Sequence, residues 1–176
     1  QCRLHTLTAG PGCGKTALMQ VLAKIAGGTV RFCAPTGKAA KVLSQRVGPY
    51  GYRATTVHQL LEPTEDGFAR GQHNPIEADV IVLDEGGMND AVIFHSLLLA
   101  LDAHTHLIVL GDRDQLPSVG YGAVLADLLS TPADHYQLDR TYRNQGDILA
   151  LVRTVREGRF EPPASNDGSY HLVPIG

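Results

Sequence analysis

Cysteine is scarce in this 176-residue sequence: Cys2, Cys13 and Cys33 are odd in number, widely spaced and without a CxxC pair. That excludes a disulfide framework and a Cys-built zinc centre, and it leads us to expect a reducing, cytoplasmic setting. Long apolar runs are missing too. None approaches the ~18 residues of a membrane span, so no membrane association is expected. The start, Gln1-Cys2-Arg3-Leu4-His5, has neither the charged nor the long apolar region of a signal peptide. Neither sign of charge dominates. Lys and Arg number 15 against 18 Asp and Glu, for a net charge of −3. A protein that coats nucleic acid by overall positive charge is excluded, whereas a local basic groove is not. There is no internal repeat, no low-complexity tract and no initiator Met. With its first strand beginning almost at residue 1, the chain is expected to be a piece of a longer polypeptide.

What is present is globular. Hydrophobic residues make up 43% and charged residues 19%, and the length is about one domain of ~150 residues. Strand-like apolar runs at 4–8, 29–34, 79–83, 106–110 and 135–138 alternate with helical stretches. The helices are expected at about 15–26, from 37 to about 47, at 57–61, 90–101, 123–129 and 148–157. Residues 62–78, rich in Gly, Pro, Asn and charge, read as a loop or small hairpin. Continuous apolar strands alternating with helices predict an α/β fold with a parallel sheet covered on both faces. The tail at 161–176 carries Pro162-Pro163 and Asn166-Asp167-Gly168 and reads as a linker.

Between the first strand and first helix lies Ala9-Gly10-Pro11-Gly12-Cys13-Gly14-Lys15-Thr16, the P-loop pattern with Ala for the first Gly. Glycines let backbone N–H groups converge on phosphate oxygens, and the following helix aims its N-terminus at them. Gly10, Pro11, Gly12, Cys13 and Gly14 would cradle phosphate. Lys15 would reach the β- and γ-phosphates, and the Thr16 hydroxyl would sit on Mg²⁺. A Gly-rich structural turn is the competing reading, and the strand before and helix after weigh against it. Cys13 reads as a small filler, since no base is placed beside it.

Val80-Ile81-Val82-Leu83-Asp84-Glu85 ends a buried strand in two acids. Taken alone this is as well explained by a solvated strand end. Beside a P-loop it supplies Asp84 to hold Mg²⁺ and Glu85 as general base toward water. Gln115, after the strand ending Leu110-Gly111, suits a γ-phosphate sensor because it donates and accepts without acting as a base. Arg143 and Arg140 are equal candidates, by composition, for a charge-stabilising arginine. Asp112 and Asp114 read as holding a turn. His104 and His106 form an HxH pair with no third metal ligand near in sequence.

Taken together these segments resemble the first motor domain of superfamily 1 DNA helicases of the RecD/TraA type. Thr8–Thr16 is similar to helicase motif I, and Ala34-Pro35-Thr36-Gly37-Lys38-Ala39-Ala40 to motif Ia. Thr56-Val57-His58-Gln59-Leu60-Leu61 resembles the short DNA-contacting motif that follows. Asp84-Glu85 matches motif II, Gly111–Gly120 motif III, and Tyr142-Arg143 motif IV, which favours Arg143 over Arg140. The resemblance covers residues 4–160.

That resemblance implies a RecA-like P-loop NTPase fold with sheet order 5-1-4-3-2, the P-loop strand and the acid-bearing strand being separated by the motif III strand. It implies ATP and Mg²⁺ as cofactors and 5′→3′ movement on single-stranded DNA. It assigns DNA contacts to Pro35, Thr36, Gly37, Lys38, Thr56 and His58, and their chemistry suits phosphate. With no Trp, no stacking platform for bases stands out. The family places a small strand-separating hairpin where 62–78 lies; an ordinary surface loop fits that segment equally. The expected organisation is an ATPase domain over 1–160 with a linker at 161–176 toward a second RecA-like domain of the same parent chain, whose motifs are absent here. Recombination or conjugation subunits are the implied partners. Motif II usually continues Asp-Glu-Ala-Ser, so Gly86-Gly87 is a departure expected to loosen the backbone after the base. Other readings are a hydrolysis-deficient nucleic-acid-binding or assembly subunit, and the helicase segment of a conjugative relaxase.

Overall fold

The computed structural model describes residues 3–10, 12–25, 28–115, 118 and 120–138. Arg140, Arg143, the expected 148–157 helix and the 161–176 linker lie outside the described residues, as does Pro11. The elements are β1 (Arg3–Ala9), α1 (Lys15–Ile25), β2 (Val30–Ala34), α2 (Gly37–Val47), β3 (Ala54–Thr56) and α3 (Val57–Leu61). They continue with β4 (Pro63–Thr64), β5 (Gly67–Phe68), β6 (Val80–Leu83), α4 (Ala91–Leu99), β7 (His106–Gly111), α5 (Val124–Leu129) and β8 (Asp134–Leu138).

Six strands form one sheet in the order β3-β2-β6-β7-β1-β8, and every pairing in it is parallel. Read from the other edge, β8-β1-β7-β6-β2 is the order expected for the five strands legible in the sequence, and β3 adds a sixth at the rim. This is the RecA-like α/β arrangement, and β7 separates the P-loop strand β1 from the acid-bearing β6 as expected.

Strand composition explains the two covered faces. Along β2, Val30, Phe32 and Ala34 turn to one side, where Met19 and Ala23 of α1 and Ala40, Leu43 and Val47 of α2 close over them. Cys33, Ile81, Leu83, Leu107 and Val109 turn to the other, against Val57 and Leu61 of α3, Phe94 and Leu97 of α4, and Val124 and Leu128 of α5. Alternate residues of a strand point to opposite faces, so a strand buried on both must be apolar throughout. Burial of this kind contributes roughly 25 cal/mol per Å² of apolar surface.

Residues 62–78 form a small hairpin of β4 and β5, antiparallel through Pro63↔Phe68 and Thr64↔Gly67. It is tied back to α3 by Ala69 N–H on the Glu62 carbonyl (2.8 Å), by Arg70 N–H on the Leu61 carbonyl (3.1 Å), and by the Arg70–Glu62 ion pair (2.8 Å). The short edge strand β3 is clamped by Ser44 of α2, whose hydroxyl donates to the Ala54 carbonyl (3.0 Å) and accepts from the Ala54 N–H (2.9 Å). Among the described residues, no helix is long and apolar enough to cross a membrane.

Candidate functional site

Parallel strands deliver their C-terminal ends to one edge, and loops leaving that edge carry the candidate residues. β1 ends at Ala9 and α1 begins at Lys15, with Gly12 and Gly14 in the turn at φ of 77° and 88°. Those angles are closed to most side chains, which is why the turn needs glycine at both places. Cys13 is buried in the turn, and its N–H donates to the Gly10 carbonyl at 3.3 Å. Its role as a small filler is consistent with that position.

A cavity of about 560 Å³ opens over this turn. Gly10, Gly12, Gly14, Lys15, Thr16, Asp84, Glu85 and Gln115 all line it. The residues selected from three separate sequence segments therefore converge on one space. Arg46 of α2 and Gln20 of α1 line it too. Neither was anticipated. Arg46 sits ten residues after Thr36, and only the tertiary packing of α2 beside α1 brings it there.

Asp84 is 4% exposed. Its Oδ1 accepts from the Glu85 N–H at 3.0 Å, and its Oδ2 lies 3.7 Å from the Arg46 guanidinium. Burial holds the carboxyl above the usual carboxylate range. The Glu85 charge adds to the rise, while the Glu85 N–H, Arg46 and Lys15 oppose it. Cys33, one strand over, is pushed up to about 12 by burial and by Asp84, so it is a core thiol rather than a nucleophile.

Glu85 adopts φ 54°, ψ 41°, a left-handed conformation uncommon for a residue with a side chain. Its Oε2 is buried without a hydrogen-bond partner. Strain and an orphaned acceptor at one residue are features that fixed sites retain when function needs them. The glycines that follow do not supply the left-handed turn; Glu85 does, and neither Gly86 nor Gly87 has positive φ. Gly86 is buried beside β7, where a β-carbon would overlap the Val109 side chain. Its small size is a packing requirement that sequence reading, focused on backbone freedom, did not reveal.

The turn after β7 is built by Asp112, whose Oδ1 accepts from the Asp114 N–H at 3.1 Å and whose carbonyl accepts from the Gln115 N–H at 3.3 Å. That turn sets Gln115 on the cavity rim, and Asp112 holds it as expected. Among the described residues, no group of three or more His, Cys, Asp and Glu forms a metal cage. A Mg²⁺ ion needs no such cage. It is ordinarily held by one or two protein oxygens together with phosphate and water. The buried Asp84 carboxylate and the Thr16 hydroxyl on the same cavity wall fit that donor set.

The second group of candidates gathers at the neighbouring corner of the same edge. Ala34 and Thr56 are in register across β2 and β3, so the chain leaves both strands side by side. Thr36 caps α2 by accepting from the Ala39 N–H (3.2 Å). Thr56 caps α3 by accepting from the Gln59 N–H (3.1 Å), and the Gln59 side chain accepts from the Thr56 N–H (3.0 Å). Thr-x-x-Gln is thus a capping box, a pattern visible in the sequence and passed over there. Pro35, Thr36, Gly37, Lys38, Thr56 and His58 lie at these two helix starts. Lys38 and His58 are exposed.

Similarity to known proteins agrees with this geometry. The AAA domain family model matches residues 1–169. The chain is 35% identical over 178 residues to the ATP-dependent RecD2 DNA helicase of Deinococcus radiodurans, covering 98% of this chain and 24% of that protein. It is 37% identical over 183 residues to the RecBCD enzyme subunit RecD of Mycolicibacterium smegmatis, covering 88% and 33%. The chain thus spans a quarter to a third of these relatives' length. In fold it is similar to a Bacteroides Pif1 helicase crystallised with ADP-AlF3 and ssDNA, with TM-score 0.62, 17% identity, and 89% of this chain and 42% of that one covered. It is also similar to an arterivirus nonstructural protein 10 helicase in complex with DNA, with TM-score 0.60, 17% identity, and 97% and 46% covered. The chain belongs to the AAA domain family, with RecD-type helicases among its sequence relatives.

Proposed function

We propose that this chain is the ATP-hydrolysing motor domain of a RecD-like DNA helicase that moves 5′→3′ on single-stranded DNA. One observation carries the reading: the hydrolytic set and the DNA-contact set leave the C-terminal ends of adjoining strands. Asp84 follows β6, Pro35 follows β2, and those strands pair directly through Cys33↔Leu83. A change at the phosphate end of β6 is one strand, about 4.8 Å, from the DNA corner.

In this reading the N–H groups of Gly10, Gly12, Cys13 and Gly14 and the Lys15 ammonium bind the phosphates, Pro11 having no N–H to give and shaping the turn between them. Thr16 and Asp84 hold Mg²⁺, which supplies charge neutralisation when bound. Glu85 takes the proton from the attacking water, Gln115 senses the γ-phosphate, and Arg143 stabilises the charge that develops. Pro35–Lys38, Thr56 and His58 hold the DNA backbone. Residues 1–160 form the ATPase domain, and 161–176 lead to a second RecA-like domain of the parent protein. Closure of two such domains on ATP makes translocation directional. The parent protein works in the cytoplasm with recombination or conjugation subunits.

The test is translocation by the full-length polypeptide carrying this chain, on oligonucleotides labelled at either end. Arrival signals at the 3′ label alone, with lag growing with DNA length, are expected. Length-dependent arrival at the 5′ label would overturn the direction, and no length dependence at either label would overturn the motor assignment.

A further inference from the structure

We propose that the His58 imidazole is a stacking surface for a nucleobase of single-stranded DNA, backed by the Phe68 ring of the hairpin. The proposal rests on the DNA path described above and adds a base subsite to what the sequence offered only as phosphate contacts.

His58 lies on the first turn of α3, a helix fixed from both sides. Val57 and Leu61 are buried in the core, and the capping box closes the helix start. His58 is therefore held outward on a rigid base and is exposed. A histidine that donates to phosphate is commonly oriented by a hydrogen bond on its second nitrogen. Among the described residues, the His58 ring has no hydrogen bond or ion pair. Its recorded contact is with Phe68, at a ring-centroid distance of 5.7 Å and an interplanar angle of 68°. A tilted ring pair of this kind restrains the plane of the imidazole, and among the described residues no second ring packs on it.

Phe68 is placed as firmly. It is on β5 opposite Pro63, half-buried against the core, and the hairpin is locked to α3 by the Arg70–Glu62 pair and two backbone bonds. The hairpin thus brings an aromatic ring to His58, two residues after Thr56 at the start of α3. Stacking on such a ring is tolerant of base identity, as a protein moving along DNA requires. It would supply a base contact in a sequence with no tryptophan.

Stacking and phosphate binding separate experimentally. Each phosphate contact adds about 0.7 to the salt slope of single-strand binding, whereas stacking adds affinity without slope. Oligonucleotide affinity would be measured in the full-length polypeptide across a salt series, with 2-aminopurine fluorescence reporting base stacking. His58→Phe should keep wild-type affinity within about twofold and keep the fluorescence change. His58→Gln should lose about tenfold with an unchanged slope and lose the fluorescence change. Phe68→Leu, which preserves core burial, should weaken binding several-fold, and Phe68→Tyr should restore it. The reverse pattern would overturn the proposal: Gln tolerated, Phe not, and the slope reduced by about 0.7. So would no effect at either position while Lys38→Ala still weakens binding and lowers the slope, which would leave the DNA path standing. A wild-type protein that binds no oligonucleotide would overturn the DNA path itself.

Discussion

Gly86 and Gly87 are adjacent and chemically identical, yet their surroundings differ. A β-carbon on Gly86 would overlap the Val109 side chain and lie 3.3 Å from the Leu110 carbonyl oxygen, whereas one on Gly87 meets only Leu125 at 3.5 Å. Gly86→Ala is therefore expected to cost about 1–3 kcal/mol, and Gly87→Ala to stay within about 0.5 kcal/mol of the parent. Denaturant titration of both reads the difference directly, and equal effects would contradict the packing account. Asp84 makes the opposite point, that a site residue can cost stability. Its carboxyl is held above the ordinary range, chiefly by burial. The ionised form is thus disfavoured in the folded state. The cost is present at pH above the folded value and fades as pH falls through it. Asp84→Asn should raise Tm at pH 7 in chelator, with a gain that shrinks on acidification, while Mg²⁺-dependent nucleotide binding is lost. A lower Tm at pH 7 would contradict this.

At the scale of elements, the capping box decides how a five-residue helix persists. Helices this short are unstable alone and depend on caps and burial. Thr56→Ala should cost about 1 kcal/mol and Thr56→Ser much less, measured by thermal or denaturant unfolding; equal costs would exclude the cap as the cause. The same element shows what the sequence made legible. Val57–Leu61 is read as a short helix and recovered with the same bounds. The strands preceding Asp84 and Gln115 are read from continuous apolar runs and recovered within a residue or two. The strand 54–56 is not, because three residues, Ala-Thr-Thr, carry no period and owe their pairing to β2 and the Ser44 clamp. Chemistry-bearing residues at fixed spacing, Lys15-Thr16 and Asp84-Glu85, are legible since local sequence sets their neighbours. Arg46 and Phe68 are not, since helix packing brings the one beside Asp84 and a hairpin fold brings the other against His58.

For the molecule as a whole, one parallel sheet places the P-loop cavity and the candidate DNA corner on the same edge, so chemistry at one would be mechanically close to contact at the other. The central claim is that this edge hydrolyses ATP in response to single-stranded DNA. The most direct measurement is ATP turnover by the full-length polypeptide carrying this chain, with and without a single-stranded oligonucleotide, beside Glu85→Gln. The account predicts strong stimulation by DNA. In Glu85→Gln, turnover should fall about 10²–10⁴-fold with nucleotide binding retained, the scale expected for loss of a general base. Nucleotide binding without turnover under either condition, or stimulation that survives Glu85→Gln, would contradict it.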